Sequence, residues 1–314
     1  MTRARRAAPL LSGGVFLCDG GLETTFLFHE GVDLPHFATF PLLESAEGRA
    51  RLSAYFERYL ALAEARRVGF LADTVTWRAN PDWGAKLGYD AAGLARINRE
   101  AVAFVRALVR GRGAADAPIL VNGVVGPRGD GYRAGRAGAE EARAYHAPQI
   151  ATLAQAGVDL VTAMTLSTVD EAIGIARAAE DADVACAVSF TVETDGRLAD
   201  GTPLAAAIAT TDDATAAAPI YYMVNCAHPA HFADVLAGGG RWVERIRGVR
   251  ANASTKSHAE LDESDTLDEG DPVDLGRRTR ALRAALPRLS VFGGCCGTDH
   301  RHIEAICDAC LEPA

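Results

Sequence analysis

Val158-Asp159-Leu160-Val161-Thr162-Ala163-Met164 is apolar or β-branched at every position but one and shows no regular alternation of wet and dry residues. A strand with one solvated face alternates, so this run reads as a strand covered on both faces, the condition of parallel strands packed under helices. Seven comparable runs lie on either side of it: Val15 to Asp19, Gly69 to Val75, Pro118 to Asn122, Asp183 to Phe190, Pro219 to Asn225, Ile246 to Asn252 and Leu289 to Phe292. Between them the spacing turns helical, as at Leu52, Phe56, Tyr59 and Ala63 and again at Ile97, Ala101, Phe104 and Leu108. Eight strand-helix units with right-handed crossovers close most simply into an α/β fold of the (β/α)8 TIM-barrel type, one domain over residues 1–314, with an open doubly wound sheet as the alternative.

Composition narrows the function. The chain has 314 residues, 49% hydrophobic and 23% charged, with a formal net charge of −9. No basic stretch offers the footprint a polyphosphate backbone needs, so nucleic acid is not an expected partner. Its two lysines, Lys86 and Lys256, do not follow a glycine, which excludes a phosphate-binding loop of the G-x-x-x-x-G-K type. The basic start Met1 to Arg6 and the apolar run Ala7 to Cys18 resemble an export signal, but Ser12-Gly13-Gly14 breaks the run and no cleavage site follows. A cytoplasmic protein without membrane spans is expected, its seven cysteines reduced or bound to metal.

Barrel enzymes gather their chemistry at the C-terminal ends of the strands. Here those ends carry Asp19-Gly20-Gly21, Asp73-Thr74, Asn122-Gly123, Met164-Thr165, Asn225-Cys226, Asn252 and Gly293-Gly294-Cys295-Cys296, a polar and thiol-rich set that packing does not require. Residues 126–138 could form a mobile flap or a plain solvated connection. Residues 260–271 hold seven acidic side chains and read as a solvated loop.

The glycines around Cys295 and Cys296 let two neighbouring sulfurs turn toward one point, and Cys226 can reach that point across the barrel mouth. Three thiolates leave one position of a tetrahedral Zn²⁺ open, as in catalytic sites. Adjacent cysteines also suit two small buried residues, or a disulfide in a secreted protein. Cys307 and Cys310 share helical spacing with Ile303 and Ile306 and read as core, while Cys18 and Cys186 fall within apolar strands.

Asp19-Gly20-Gly21-Leu22, Asn122-Gly123-Val124-Val125-Gly126-Pro127, Ser189-Phe190-Thr191, Val224-Asn225-Cys226 and above all Gly293-Gly294-Cys295-Cys296-Gly297-Thr298 resemble the homocysteine S-methyltransferases. The resemblance runs from Asp19 to about Ile303. It implies a barrel with zinc on Cys226, Cys295 and Cys296 and methyl transfer from a sulfonium, ammonium or folate donor to homocysteine, giving methionine. It further implies that Asp19, Gly20 and Gly21 form the substrate loop and that Asn225 partners the first zinc ligand.

Two departures matter. Members of that family usually carry a glutamate where this chain has Met164, a carboxylate that helps hold the ammonium of homocysteine. Glu23 stands where a small residue is more usual, so Glu23 is expected to take over that contact. The chain shows no second module for cobalamin or folate, which favours a free-standing enzyme using S-methylmethionine, S-adenosylmethionine or a betaine-like donor. Trp77 and Trp83 could cradle such a cation or simply pack. The sequence leaves the oligomeric state open. Competing readings are a Schiff-base aldolase using Lys256 and a non-catalytic zinc-binding or redox-sensing barrel.

Overall fold

A computed structural model of the chain describes residues 7–311; the basic start Met1 to Arg6 lies outside the described residues. Eight parallel strands close into a barrel in sequence order. Each strand leads into the helix that covers it. In chain order these are β1 (Phe16–Leu17) and α1 (Ala46–Arg66), β2 (Gly69–Asp73) and α2 (Ala91–Leu108), and β3 (Ile119–Val125) and α3 (Ala139–Ala156). There follow β4 (Leu160–Leu166) and α4 (Val169–Asp181), β5 (Ala185–Phe190) and α5 (Leu204–Thr215), and β6 (Tyr221–Asn225) and α6 (Pro229–Ala237). The last two pairs are β7 (Ile246–Ala251) with α7 (Pro272–Ala285) and β8 (Val291–Gly294) with α8 (His300–Leu311).

The period-2 geometry of a strand sorts each run into two faces. On β4, Val161 and Ala163 join the large core between strands and helices, whereas Leu160 and Met164 join a second cluster inside the barrel. Tyr221 and Met223 of β6 point inward with them, and Tyr222 and Val224 point outward. Both faces are dry, which is why the alternation is invisible as polarity. The inner cluster is sealed by Ala7 and Leu10, so the apolar N-terminal run serves as a plug beneath the barrel.

The helices form where the spacing places them. Leu52, Phe56, Tyr59 and Ala63 are buried on α1, whose first turn is capped by Ser45 accepting a bond from the Gly48 amide at 2.9 Å. Ile97 and Ala101 are buried on α2, with Phe104 and Leu108 packed at its margin. Cys307 and Cys310 lie on the buried face of α8 beside Ile303 and Ile306. Strand ends shift by a few residues from the sequence reading. Asn122-Gly123, expected at the mouth, sits in the middle of β3, and Cys18 stands just beyond β1 rather than within it. Among the described residues, no helix is long and apolar enough to cross a membrane.

Candidate active site

Inward positions near the C-terminal ends of the strands are polar. Arg250 of β7 bonds to both Asp19, just beyond β1, and Asp73 of β2. Asn122 of β3 donates to Asp73 at 2.7 Å, and Thr162 of β4 donates to Asn122 at 2.8 Å. Tyr55 of α1 donates to Asp19 at 3.1 Å. A buried arginine is tolerable because two carboxylates neutralise it, and the layer forms the floor of the site. Burial pushes the Asp19 carboxyl up, with Asp73 adding to the rise and Arg250 opposing it.

Above this floor the loop after β8 is sewn to the loop after β1. The Gly294 amide donates to the Asp19 carbonyl at 2.9 Å, Gly21 to the Thr298 carbonyl at 2.9 Å, and Gly297 to Thr24 Oγ1 at 3.2 Å. A Cβ on Gly20 would stand 2.7 Å from Tyr59 Oη, and one on Gly21 would strike the Cys295 carbonyl at 2.5 Å. Gly20 and Gly21 are thus small because two loops meet there, and both line the inner cavity.

The close approach delivers the sulfurs. Sγ atoms of Cys226, Cys295 and Cys296 all lie within 4.8 Å of one another, the one Cys, His, Asp or Glu group among the described residues able to hold a metal ion. Cys226 and Cys295 stand as a disulfide pair with Cα atoms 5.3 Å apart, and Cys296 Sγ is 3.8 Å from Cys226 Sγ. Two thiolates on a tetrahedral zinc with bonds of about 2.3 Å are roughly 3.8 Å apart, so the Cys226 to Cys296 spacing fits the metal. A loaded centre needs Cys226 and Cys295 as separate thiolates rather than joined. Burial pushes the Cys296 thiol up to about 11, so without a cation it is not an anion at neutral pH.

Cys226 itself has a left-handed backbone, φ 56°, and so does Thr165 at the end of β4, φ 63°. Non-glycine residues hold that conformation only where their surroundings enforce it. Asn225 supplies the enforcement: its Oδ1 accepts from the Thr165 amide at 2.9 Å and from Ser189 Oγ at 2.6 Å, and its Nδ2 donates to Thr165 Oγ1 at 2.8 Å. The pairing of β4 with β5 shifts register between Ala163 and Leu166, across this same point. The Cys226 carbonyl is gripped by Asn252 Nδ2 at 3.0 Å and His258 Nε2 at 2.6 Å.

Three participants were not singled out in the sequence. Tyr132, in the loop 126–138, places its hydroxyl 3.2 Å from Cys226 Sγ and 3.8 Å from Cys296 Sγ and packs at a tilt against His258 with ring centroids 4.2 Å apart. That loop therefore reaches the thiols. Tyr132 lies in an aperiodic loop that carries no local signal, whereas His258 opens the short helix His258–Asp262, whose start is marked by the capping box of Ser257 and Glu260. Arg250 had one: it is a charge inside an otherwise buried strand.

Two cavities meet at the thiols. The inner one, about 90 Å³, is lined by Asp19, Glu23, Met164, Arg250 and all three cysteines. The outer one, about 370 Å³, is lined by Arg78, Asp130, His258 and Asp262. Cys296 and Tyr132 border both. The acidic segment 260–271 thus walls a cavity rather than merely meeting solvent. Lys256 is exposed and ion-paired to Asp268 at 3.5 Å, so it lacks the desolvation an imine-forming lysine needs. The cations against Trp77 and Trp83 are the chain's own: Arg78, whose guanidinium carbon is 4.0 Å and 3.8 Å from their ring centroids, and Lys86, whose Nζ is 3.9 Å from that of Trp83.

The family model described as homocysteine S-methyltransferase matches residues 16–310. The chain belongs to that family. Three solved structures of the Escherichia coli homocysteine methyltransferase MmuM share its fold. The oxidised form has a TM-score of 0.73 at 21% identity, covering 96% of this chain and 98% of that one. The metallated form scores 0.67 at 22% identity over 96% and 98% of the two chains, and the apo form 0.66 at 22% over 97% and 99%. No curated protein matches the chain by sequence. This homocysteine S-methyltransferase family member is accordingly a methyltransferase acting on small molecules, with the (β/α)8 barrel that the strand runs implied.

Proposed function

We propose that this enzyme moves a methyl group from a sulfonium or ammonium donor to a thiol acceptor, homocysteine foremost, with Zn²⁺ held by Cys226, Cys295 and Cys296. The observation that carries the reading is the position of Cys296 and Tyr132 on the boundary of two cavities, so an acceptor below and a donor above would meet at the thiols. Zinc, when bound, supplies the positive charge that lets an acceptor thiol with an ordinary pKa of about 8.5 lose its proton at neutral pH. A bond forms between acceptor sulfur and methyl carbon as the bond from that carbon to the donor's cationic atom breaks. The donor leaves as a neutral thioether or amine, and the thiol proton passes to solvent. The chain's own part is to hold two reactants in line, which can lower the barrier by roughly 7 kcal/mol or more.

Acceptor recognition follows from the charges of the inner cavity. Asp19 and Asp73 are committed to Arg250, and Met164 offers no charge. Glu23 is the lining carboxylate that remains outside an ion pair among the described residues; it accepts a bond from Thr39 at 3.3 Å. Burial pushes its carboxyl up, a cost that an acceptor's ammonium would offset. Glu23 is therefore assigned the ammonium contact.

The decisive experiment compares zinc content and thiol methylation in the reduced wild type and in Cys295→Ala. Both should fall to background together in the variant. Turnover by a metal-free Cys295→Ala protein would falsify the assignment.

A further inference from the structure

Tyr132 reaches the sulfurs from a loop with no regular structure of its own: residues 126–138 form neither helix nor strand, and five of the thirteen are glycine. What holds the ring over Cys226 and Cys296 therefore lies outside the loop. Its first residues are gripped from the β2 side, where Asn80 Nδ2 donates to the Pro127 carbonyl at 3.2 Å and Arg78 Nη1 to the Gly129 carbonyl at 3.1 Å. The residues that bracket Tyr132 rest instead on the connection from β4 to α4. Glu171 Oε1 accepts from the Arg128 amide at 2.7 Å, and Ser167 Oγ donates to the Arg133 carbonyl at 3.2 Å. Between them Gly131 lies so close to Thr165 that a Cβ would stand 2.8 Å from Thr165 Cγ2. Thr165 in turn is pinned by Asn225, the residue before Cys226, so the seat of the loop is registered to the thiols.

Glu171 is the charged member of this seat and has a support of its own. It lies in the first turn of α4, 8% exposed, and His146 of α3, 1% exposed, stands with Nε2 2.9 Å from the same Oε1. A carboxylate oxygen only accepts, so the imidazole donates from Nε2. Its Nδ1 is then a bare acceptor, buried without a hydrogen-bond partner. An apolar residue would fill that place without such a cost, and what the imidazole adds is the aim of the Glu171 carboxylate. Neither Glu171 nor His146 lines the inner or the outer cavity, so an effect on the reaction passes through the loop. The Arg128 side chain pairs with Asp82 and Glu141 at the surface, which contributes little beside a buried amide-to-carboxylate bond.

We propose that Glu171, aimed by His146, is a positioning residue of this enzyme: it seats the loop 126–138 on the connection from β4 to α4 and so keeps Tyr132 over the sulfurs. The inference deepens the methyl-transfer reading, and its consequence for turnover rests on that reading. Without the seat the loop leaves the mouth while the three sulfurs stay where their own strand ends put them. Zinc is then retained and turnover falls, because the closed form of the site is no longer populated.

The test uses the reduced, zinc-loaded full chain. Arg133 and Arg136 are exposed within the loop, so trypsin reads its opening as nicks after these two residues, resolved by mass spectrometry. Glu171→Ala should raise the nicking rate roughly 10-fold or more, with zinc content and cleavage elsewhere in the chain unchanged. Glu171→Gln keeps an acceptor oxygen in the same place and should restore most of the protection. In thiol methylation kcat should fall in Glu171→Ala, yet adding Glu171→Ala to Tyr132→Ala should lower it no further, a non-additivity that a general loss of packing does not produce. Nicking of Glu171→Ala at the wild-type rate, no rescue by Glu171→Gln, loss of zinc, or kinetic losses that add in full each overturns the proposal. If Glu171→Ala does not fold, Ser167→Ala, a smaller deletion at the other end of the seat, decides by the same nicking rate. A wild type that methylates no thiol sinks the transfer reaction and leaves the nicking comparison to judge Glu171.

Discussion

Cys226 shows how much local strain one residue carries for the site. Its left-handed backbone, φ 56°, turns a strand end so that its sulfur meets two others, and Asn225, Asn252 and His258 hold the turn from three sides. Such a conformation costs on the order of 1–3 kcal/mol and persists only because the neighbours fix it. At the same scale, Glu23 separates recognition from chemistry. Glu23→Gln keeps the shape and removes the charge, so the acceptor KM should rise roughly 10-fold or more with kcat little changed. An unaltered acceptor KM in steady-state assays would show that the ammonium is held elsewhere.

Elements differ in how they announce themselves. Strands and helices repeat, and their runs located all eight units, whereas the loop 126–138 has no period and its contact with the thiols through Tyr132 was invisible. The helix α8, which follows the Cys295-Cys296 turn directly, is started by Asp299: its Oδ1 accepts from the Arg301 amide at 2.9 Å. Burial opposes ionisation of Asp299, but the bonds from His302 and Arg301 hold its carboxyl well below the usual carboxylate range. A carboxyl depressed on folding contributes stability above its unfolded pKa of about 4 and loses it as the pH falls below that value. Asp299→Ala should therefore cost about 1 kcal/mol at pH 7 in urea unfolding, with the difference from wild type shrinking by pH 3. A penalty of the same size at both values would mean that the charge plays no part.

At the scale of the whole molecule, Arg250 is a stitch across the barrel. From β7 it engages Asp19 beyond β1 and Asp73 on β2, and through Asp73 and Asn122 the network reaches Thr162 on β4. Removing the cation strands two buried carboxylates, so Arg250→Met should lose about 3–5 kcal/mol of unfolding free energy. Adding Asp73→Asn to it should recover part of the loss. A single-variant loss under about 1 kcal/mol would show that the carboxylates find other partners or protonate cheaply.

The amino-acid order alone specified the strands, the helical faces, the strand-helix alternation of the barrel and the glycine-flanked pair Cys295-Cys296, because unbroken dry runs, a period of 3.6 and glycines beside cysteines are properties of neighbours along the chain. Which side chains meet across the mouth was decided only on closure. Arg250 between Asp19 and Asp73 and Tyr132 over the sulfurs join residues from different staves or from an aperiodic loop. Their distances depend on how the strands stagger and where the loops land, and no local pattern encodes that.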